Sequence, residues 1–340
     1  MIPSLDDLRR AAGLDALGVA AAEPFADTRR ILEDRRAAGL HGGMQFTYRN
    51  PARSTTPAQA LPGARALVVG ALHYGAAVGE QPGTRPAGLV ARYARADHYG
   101  ELRRGLDAVA DLLRANGFAA RVLVDDNALV DRAAAVRAGI GWYGKSSNVL
   151  LPGRGSWFVL GAVVTDAPLD TTTEPLGDGC GPCTRCIDGC PTGAIVAPGV
   201  VDARRCLAWL VQQTGTFPVE HRRALGARIY GCDDCQEVCP PNRVDDRRTA
   251  TDGEGDGEGQ AWVDLVGLLE ASDDELLARH GRWYIPARDP RYLRRNALVA
   301  LGNIGDLDDP AVREVLERFR DGDDELLAEH ASWALAGADA

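Results

Sequence analysis

Lysine is almost missing from this chain of 340 residues: of its 38 basic residues 37 are arginine, and Lys145 is the single lysine. Aromatic residues make up only 6%, methionine occurs twice, and no uncharged apolar run reaches the roughly 20 residues that a helix needs to cross a bilayer. The opening Met1-Ile2-Pro3-Ser4-Leu5-Asp6-Asp7 has neither a basic nor an apolar signal region, so a cytoplasmic protein with no membrane partner is expected. Excess positive charge is missing as well. The net charge of -10 argues against loose, sequence-blind adhesion to nucleic acid, while leaving room for a local basic face. Cysteine is missing outside one stretch, since all eight lie between Cys180 and Cys239. A disulfide framework for the whole fold is therefore excluded, and the eight read as one local device.

What is present is ordinary globular material, 45% hydrophobic and 25% charged, long enough for two or three packed units. Ser4-Leu5-Asp6-Asp7 reads as a capped helix start that stops at Gly13. Ala66 to Leu72 reads as a buried strand, Leu102, Leu106, Val109 and Leu113 as one face of a helix ending at Gly117, and Phe118 to Val124 as another strand. Asp125 then stands at the carboxyl end of a strand, where α/β sheets open ligand crevices. A helix over about 128–138, a glycine-rich loop and a strand from Trp157 to Val164 complete an α/β unit over 1–172. Residues 173–244 form a small Cys-, Gly- and Pro-rich domain. Residues 245–261, an acid and glycine alternation, read as a solvated linker. From 262 to 340 the pattern is purely helical, with Asp309-Pro310 as cap and first-turn proline, and resembles HEAT-type repeats.

The run Cys180-x2-Cys183-x2-Cys186-x3-Cys190-Pro191 has the spacing of two-cluster bacterial ferredoxins, in which three thiolates hold one 4Fe-4S cluster and the fourth reaches a second. Zinc sites pair two Cys-x2-Cys hairpins across a longer loop, so the third cysteine here comes too soon. Cys206, Cys232, Cys235 and Cys239-Pro240 form a partial second repeat. The crossing rule assigns Cys180, Cys183, Cys186 and Cys239 to one cluster, and Cys190, Cys206, Cys232 and Cys235 to the other. Two clusters of this kind carry single electrons to a redox partner.

Two glycine patterns overlap at Gly139-Ile140-Gly141-Trp142-Tyr143-Gly144-Lys145-Ser146, one with dinucleotide spacing and one with phosphate-loop spacing. Both require a strand before and a helix after. Here a helix pattern precedes and Pro152-Gly153 soon follows, so the alternative is a tight loop placing Trp142 and Lys145 beside another ligand.

Val124-Asp125-Asp126 with Arg132, Ala138 to Lys145, Gly155-Ser156-Trp157-Phe158-Val159-Leu160-Gly161, and the two cysteine runs together resemble the epoxyqueuosine reductase family in order and spacing. Gly43-Met44, Arg49-Asn50-Pro51, Leu61-Pro62-Gly63-Ala64 and Leu293 to Asn303 extend the likeness. The resemblance implies an α/β cobalamin-binding domain, a ferredoxin-like domain with two 4Fe-4S clusters and a helical tail. It also implies reduction of epoxyqueuosine at the tRNA wobble position, fed by an external donor such as flavodoxin or ferredoxin, in a monomeric enzyme. By the same resemblance Asp125 is the proton donor, and Arg53, Asp125, Val149, Gly161, Ala208 and Asp234 contact cobalamin. No His has Asp two positions before it, so a lower histidine ligand is not expected. Ala128, Asp131 and Ala208 depart from the family pattern. The alternative for Asp125 is a cap of the following helix. Cobalamin with two clusters also fits a relative of the reductive dehalogenases, and the clusters alone fit a simple electron carrier.

For the tRNA, Arg282, Arg288, Arg291, Arg294 and Arg295 against Asp289 give a local net charge of +4 between Gly281 and Ala300. Arg291, Arg294 and Arg295 are the phosphate-contacting candidates, with Arg204, Arg205, Arg222 and Arg223 as an extension of the track.

Overall fold

The computed structural model describes residues 2–75, 81, 83, 85–171, 176–251 and 260–337. Ser4 caps the first helix, Leu5–Ala12, through a reciprocal bond pair with Asp7, and Gly13 ends it at a φ of 58° that only glycine adopts freely. Four strands follow in the order Ala16–Ala21, Ala66–His73, Phe158–Thr165, Ala120–Val124 across one sheet. The helix His98–Ala115 covers one face with Leu102, Leu106, Val109 and Leu113 completely buried. Full burial of each such side chain is worth about 1.5–3 kcal/mol. The alanine-rich helix Asp131–Arg137 packs against the other face, where its small side chains allow a close approach.

The helices and sheet layer as expected, but every strand pair in this sheet is antiparallel. The crevice of a parallel sheet therefore does not account for Asp125. What singles it out is local: Asp125 takes a φ of 51° directly after the strand, a left-handed conformation that costs a non-glycine residue energy.

A second sheet takes the strand Ala87–Val90 from the first lobe, Arg228–Tyr230 from the cysteine-rich segment and Trp262–Asp264 from the chain beyond it. Three stretches that look separate in sequence are thus hydrogen-bonded into one body. The linker expected from residue 245 is corrected over its first part. Residues Pro240–Thr251 form a helix, and Asp245 is 1% exposed, holding His73 Nε2 at 2.5 Å and Arg154 Nε at 3.2 Å. Acidic residues ordered themselves here because the first lobe supplies their cationic partners; Asp246 likewise pairs with Arg92 at 2.6 Å. Residues 252–259 of that expected linker lie outside the described residues.

The last segment, expected to be purely helical from 262, begins instead with the strand Trp262–Asp264, because Ala87–Val90 offers it an open edge, and is helical after that. Arg291–Ile304, Pro310–Arg320 and Glu325–Leu335 pack together around Leu298, Leu301, Val315, Leu316 and Ala331. Asp309 caps the middle helix by accepting from the Ala311 N–H, with Pro310 in its first turn. Among the described residues no helix is long and apolar enough to cross a membrane.

Candidate functional site: two cysteine groups beside an aspartate turn

Each half of the cysteine-rich segment places a one-turn helix, Arg185–Asp188 or Asp234–Glu237, between its thiols, because Cys-x2-Cys spacing followed by a turn brings side chains to one side of a tight loop. All eight cysteines are free thiols and half-buried. Cys180, Cys183, Cys186 and Cys239 line one cavity together with Lys145, Ser146 and Arg185. The Cys239 thiol is pushed up to about 11, by burial first and by the neighbouring Cys180, Cys186 and Cys183 after it. Cys186 is raised by burial and then by Cys180 and Cys183. In the other half, burial raises Cys235 above all, followed by Cys206, with Cys186 and Cys190 also contributing. Cys206 feels burial and Cys190, and Cys232 feels burial, Asp234 and Cys235.

Four thiols thus share one cavity, and the thiol of Cys235 senses Cys206, Cys186 and Cys190 together. Four thiols that resist ionisation together are relieved by a cationic core that takes one sulfur on each iron. Among the described residues no three His, Cys, Asp or Glu side chains converge on one point as a single ion would require. Eight thiolate donors in this spacing suit a pair of clusters.

The glycine patterns find their place here. No phosphate-binding helix follows Lys145; instead its Nζ donates to the carbonyls of Gly181 at 2.6 Å and Cys183 at 2.9 Å, tying down the first cysteine loop. The Trp142 ring lies against Gly179, where a side chain would collide with it.

Asp125 stands on the turn between Val124 and the helix Asp131–Arg137. It does not cap that helix: Val130 is the N-cap residue, without a side-chain bond, while Asp126 closes the turn by accepting from the Ala128 N–H at 2.8 Å. The Asp125 side chain reaches solvent, yet the surrounding protein desolvates it, and that, with Asp131 and Asp126 nearby, raises its pKa. Arg103 acts in the opposite direction. The phenols of Tyr99 and Tyr230 both sense the Asp125 charge. The Asp131 carboxyl is itself raised by burial. Arg103, Tyr99 and Tyr230 belong to no motif. Only contacts between distant segments reveal them.

The other positions singled out in the sequence scatter. Arg53 is exposed, Ala208 half-buried next to Cys206, and Asp234 is held by Arg228 while accepting from Cys232 Sγ at 3.3 Å. Val149 is in the core, 5% exposed. Gly161 lies opposite Gly70, and a side chain on it would strike Leu106 and Val124, so close seating of the helix on the sheet accounts for this glycine without a ligand.

The arginines of the tail are corrected more sharply. Arg295 is completely buried and donates to the carbonyls of Leu210, Gln213 and Gly215. Arg222, equally buried, holds Glu329 and the Phe217 carbonyl. Arg294 is bound to Asp273 and the Ala271 carbonyl, Arg282 to three carbonyls of residues 94–96, and Arg223 to the carbonyls of Gly302 and Gly337. Arg291 pairs with Asp289 and Asp324, and Arg204 with Asp202. Arg288, exposed, donates to the Gly281 carbonyl, and Arg205 is exposed. A count of charge along the sequence treated as surface the arginines, Arg295, Arg222 and Arg294 above all, that tertiary contacts use to join segments.

Comparison with known proteins agrees with this architecture. The 4Fe-4S double cluster binding domain family matches residues 179–242. An epoxyqueuosine reductase from Bacillus cereus is 34% identical over 297 residues, covering 86% of this chain and 77% of that protein. The crystal structure of an epoxyqueuosine reductase with an epoxyqueuosine-modified tRNA-Tyr stem loop superposes with a TM-score of 0.85 at 30% identity, over 97% of this chain and 88% of the other. The Bacillus subtilis epoxyqueuosine reductase, described with its aspartate-bearing catalytic loop swung out of the active site, superposes at 0.83 with 29% identity over the same shares.

Proposed function

The chain belongs to the epoxyqueuosine reductase family, and from that premise we propose that it removes the epoxide oxygen of epoxyqueuosine in tRNA, leaving queuosine and water. The observation that carries this reading is the position of Asp125, a carboxyl whose pKa is raised by desolvation and by Asp131 and Asp126, on a strained turn in a chain that also carries a two-cluster domain.

Opening an epoxide leaves an alkoxide, a poor leaving group until it is protonated. Desolvation raises the pKa of a carboxyl and so favours its protonated, proton-donating form. Asp125 gives that proton to the oxygen as the carbon–oxygen bond breaks, and solvent restores it. The loss of oxygen as water consumes two electrons and two protons. The electrons arrive singly through the cysteine-rich domain, where Cys180, Cys183, Cys186 and Cys239 hold one 4Fe-4S cluster and Cys190, Cys206, Cys232 and Cys235 the other. An external carrier such as flavodoxin or ferredoxin supplies them, to a monomer in the cytoplasm.

Cobalamin is the second cofactor in this reading, and when bound it supplies reduction at carbon. Arg53, Ala208 and Asp234 are reachable from outside the core and remain its candidate contacts with Asp125. Val149 and Gly161 are enclosed among packed side chains, so a contact from either is made by its main chain. No step here depends on these contacts. The helical tail, read as HEAT-like, would then serve as a support for the fold more than as a charged face.

The test is protein isolated without oxygen and with corrinoid supplied, incubated with reductant and an epoxyqueuosine-containing stem loop. Conversion to queuosine with about eight irons per chain is expected. Zinc in place of iron, or no conversion by iron-replete protein, overturns the reading.

A further inference from the structure

Arg295 and Arg222 are spent inside the fold, which leaves a smaller basic face on the tail than its sequence suggests. The segment from Leu40 to Ser54 bridges the two halves of the site. At one end the Ala203 N–H donates to the Leu40 carbonyl at 2.8 Å, and Trp209 Nε1 donates to the Gly42 carbonyl at 2.8 Å, both beside Cys206. At the other end Ser54 Oγ donates to the Asn127 carbonyl at 2.6 Å, and the Val130 N–H donates to the Ser54 carbonyl at 3.1 Å. The segment is therefore attached to the same turn that carries Asp125.

Between these anchors the chain is pinned from within. Arg36 Nη1 donates to the Tyr48 carbonyl, the rings of His41 and Tyr48 lie 5.6 Å apart, and Asn50 caps the short helix Pro51–Ser54. On this fixed frame Phe46 is 43% exposed, an aromatic ring left uncovered in a chain poor in aromatics. Arg49 is exposed three residues later, and among the described residues its guanidinium has no carboxylate or hydrogen-bond partner. An uncovered aromatic next to an uncommitted arginine suits a single-stranded nucleic acid, whose bases stack and whose phosphates take the charge.

We propose that the segment 40–54 is the docking strip for the single-stranded loop of the RNA substrate, with Phe46 stacking on a base that flanks the one under reduction and Arg49 neutralising a backbone phosphate. This rests on the function proposed above and adds where that substrate is held. Arg53 lies on the same stretch but is the candidate cofactor contact, so Phe46 and Arg49 carry the proposal. The attachment through Ser54 gives the strip its use: a loop held here is registered against Asp125 by one hydrogen bond of the main chain and one from the Ser54 hydroxyl.

The experiment measures binding of a fluorescent epoxyqueuosine stem loop to the cluster-loaded protein across a salt series. Phe46→Ala is expected to weaken binding roughly five- to hundredfold, and Phe46→Tyr to restore it, since a stacked base is worth about that factor. Arg49→Gln is expected to lower the slope of log Kd against log salt by about 0.7, the loss of one phosphate contact to a single strand, while Arg49→Lys keeps the slope. Iron content and cluster absorption equal to wild type confirm that the variants are folded. Wild-type binding by both variants, with an unchanged slope, overturns the proposal alone. Variants that bind RNA normally but are slow only with a carrier protein as reductant, and not with dithionite, make the strip a carrier dock and overturn it too. A wild-type chain that ignores the stem loop overturns the substrate reading and the strip together.

Discussion

Arg103 Nη2 donates to the carbonyl of Val124 at 3.1 Å, one residue before Asp125. The arginine comes from the long helix over the sheet, so it fixes the end of the strand from which Asp125 turns and places a positive charge near its carboxyl. Asp131 and Asp126 push the other way, and Tyr99 and Tyr230 lie within reach of the same charge. A donor that must be protonated loses activity as pH rises through its pKa. Arg103→Gln removes the cation, raises the Asp125 pKa and should move the alkaline limb of the pH–rate profile upward, with Arg103→Lys returning it toward wild type. Loss of activity without movement of the limb would reduce Arg103 to a structural prop.

Asp125→Asn keeps size and turn but has no acidic proton. Turnover of the epoxyqueuosine stem loop should fall at least a hundredfold, the lower range for a positioned general acid, while cluster absorption is unchanged. Wild-type turnover in this variant would remove Asp125 from the chemistry.

Lys145→Met deletes the two charge-assisted bonds to the Gly181 and Cys183 carbonyls and leaves the loop of the first cysteine set untethered. Iron release to a chelator should quicken several-fold, with half of the iron affected. Release kinetics identical to wild type would show that the thiols alone hold the loop.

Arg295→Met leaves the carbonyls of Leu210, Gln213 and Gly215 buried without their donor. A stability loss of about 2–4 kcal/mol in urea unfolding is expected, since a stranded buried acceptor costs more than a bond is worth. The salt slope of RNA binding should not change, which separates this role from phosphate contact.

His330 is completely buried; its Nε2 accepts from the Phe217 N–H at 3.1 Å, and its Nδ1 lies 2.6 Å from the Leu326 carbonyl. Burial brings its pKa down to about 4, because a proton on Nε2 would oppose the Phe217 donor. The folded value lies below the unfolded one, near 6.5, so the unfolded chain takes up the proton first. Stability is whole above that value and declines as pH falls through 6.5 toward 4. His330→Gln, which has no such proton to bind, should show a shallower decline of the urea midpoint between pH 7 and 5.

Spacing alone carried the cysteine device, because ligands held within one loop obey short-range geometry, and the capped helices at Ser4 and Asp309, because caps lie within a few residues of what they cap. It also placed Asp125 at the end of a strand. The direction of the strands, the ordering of Asp245 and the burial of Arg295 came from partners tens to hundreds of residues away, which no local pattern names. Arginine is ambiguous in sequence for this reason: the same side chain meets phosphate on a surface or ties carbonyls together in a core. Only the tertiary fold decided between them here, by supplying the Leu210, Gln213 and Gly215 carbonyls to Arg295 and leaving the Arg49 guanidinium without a partner among the described residues.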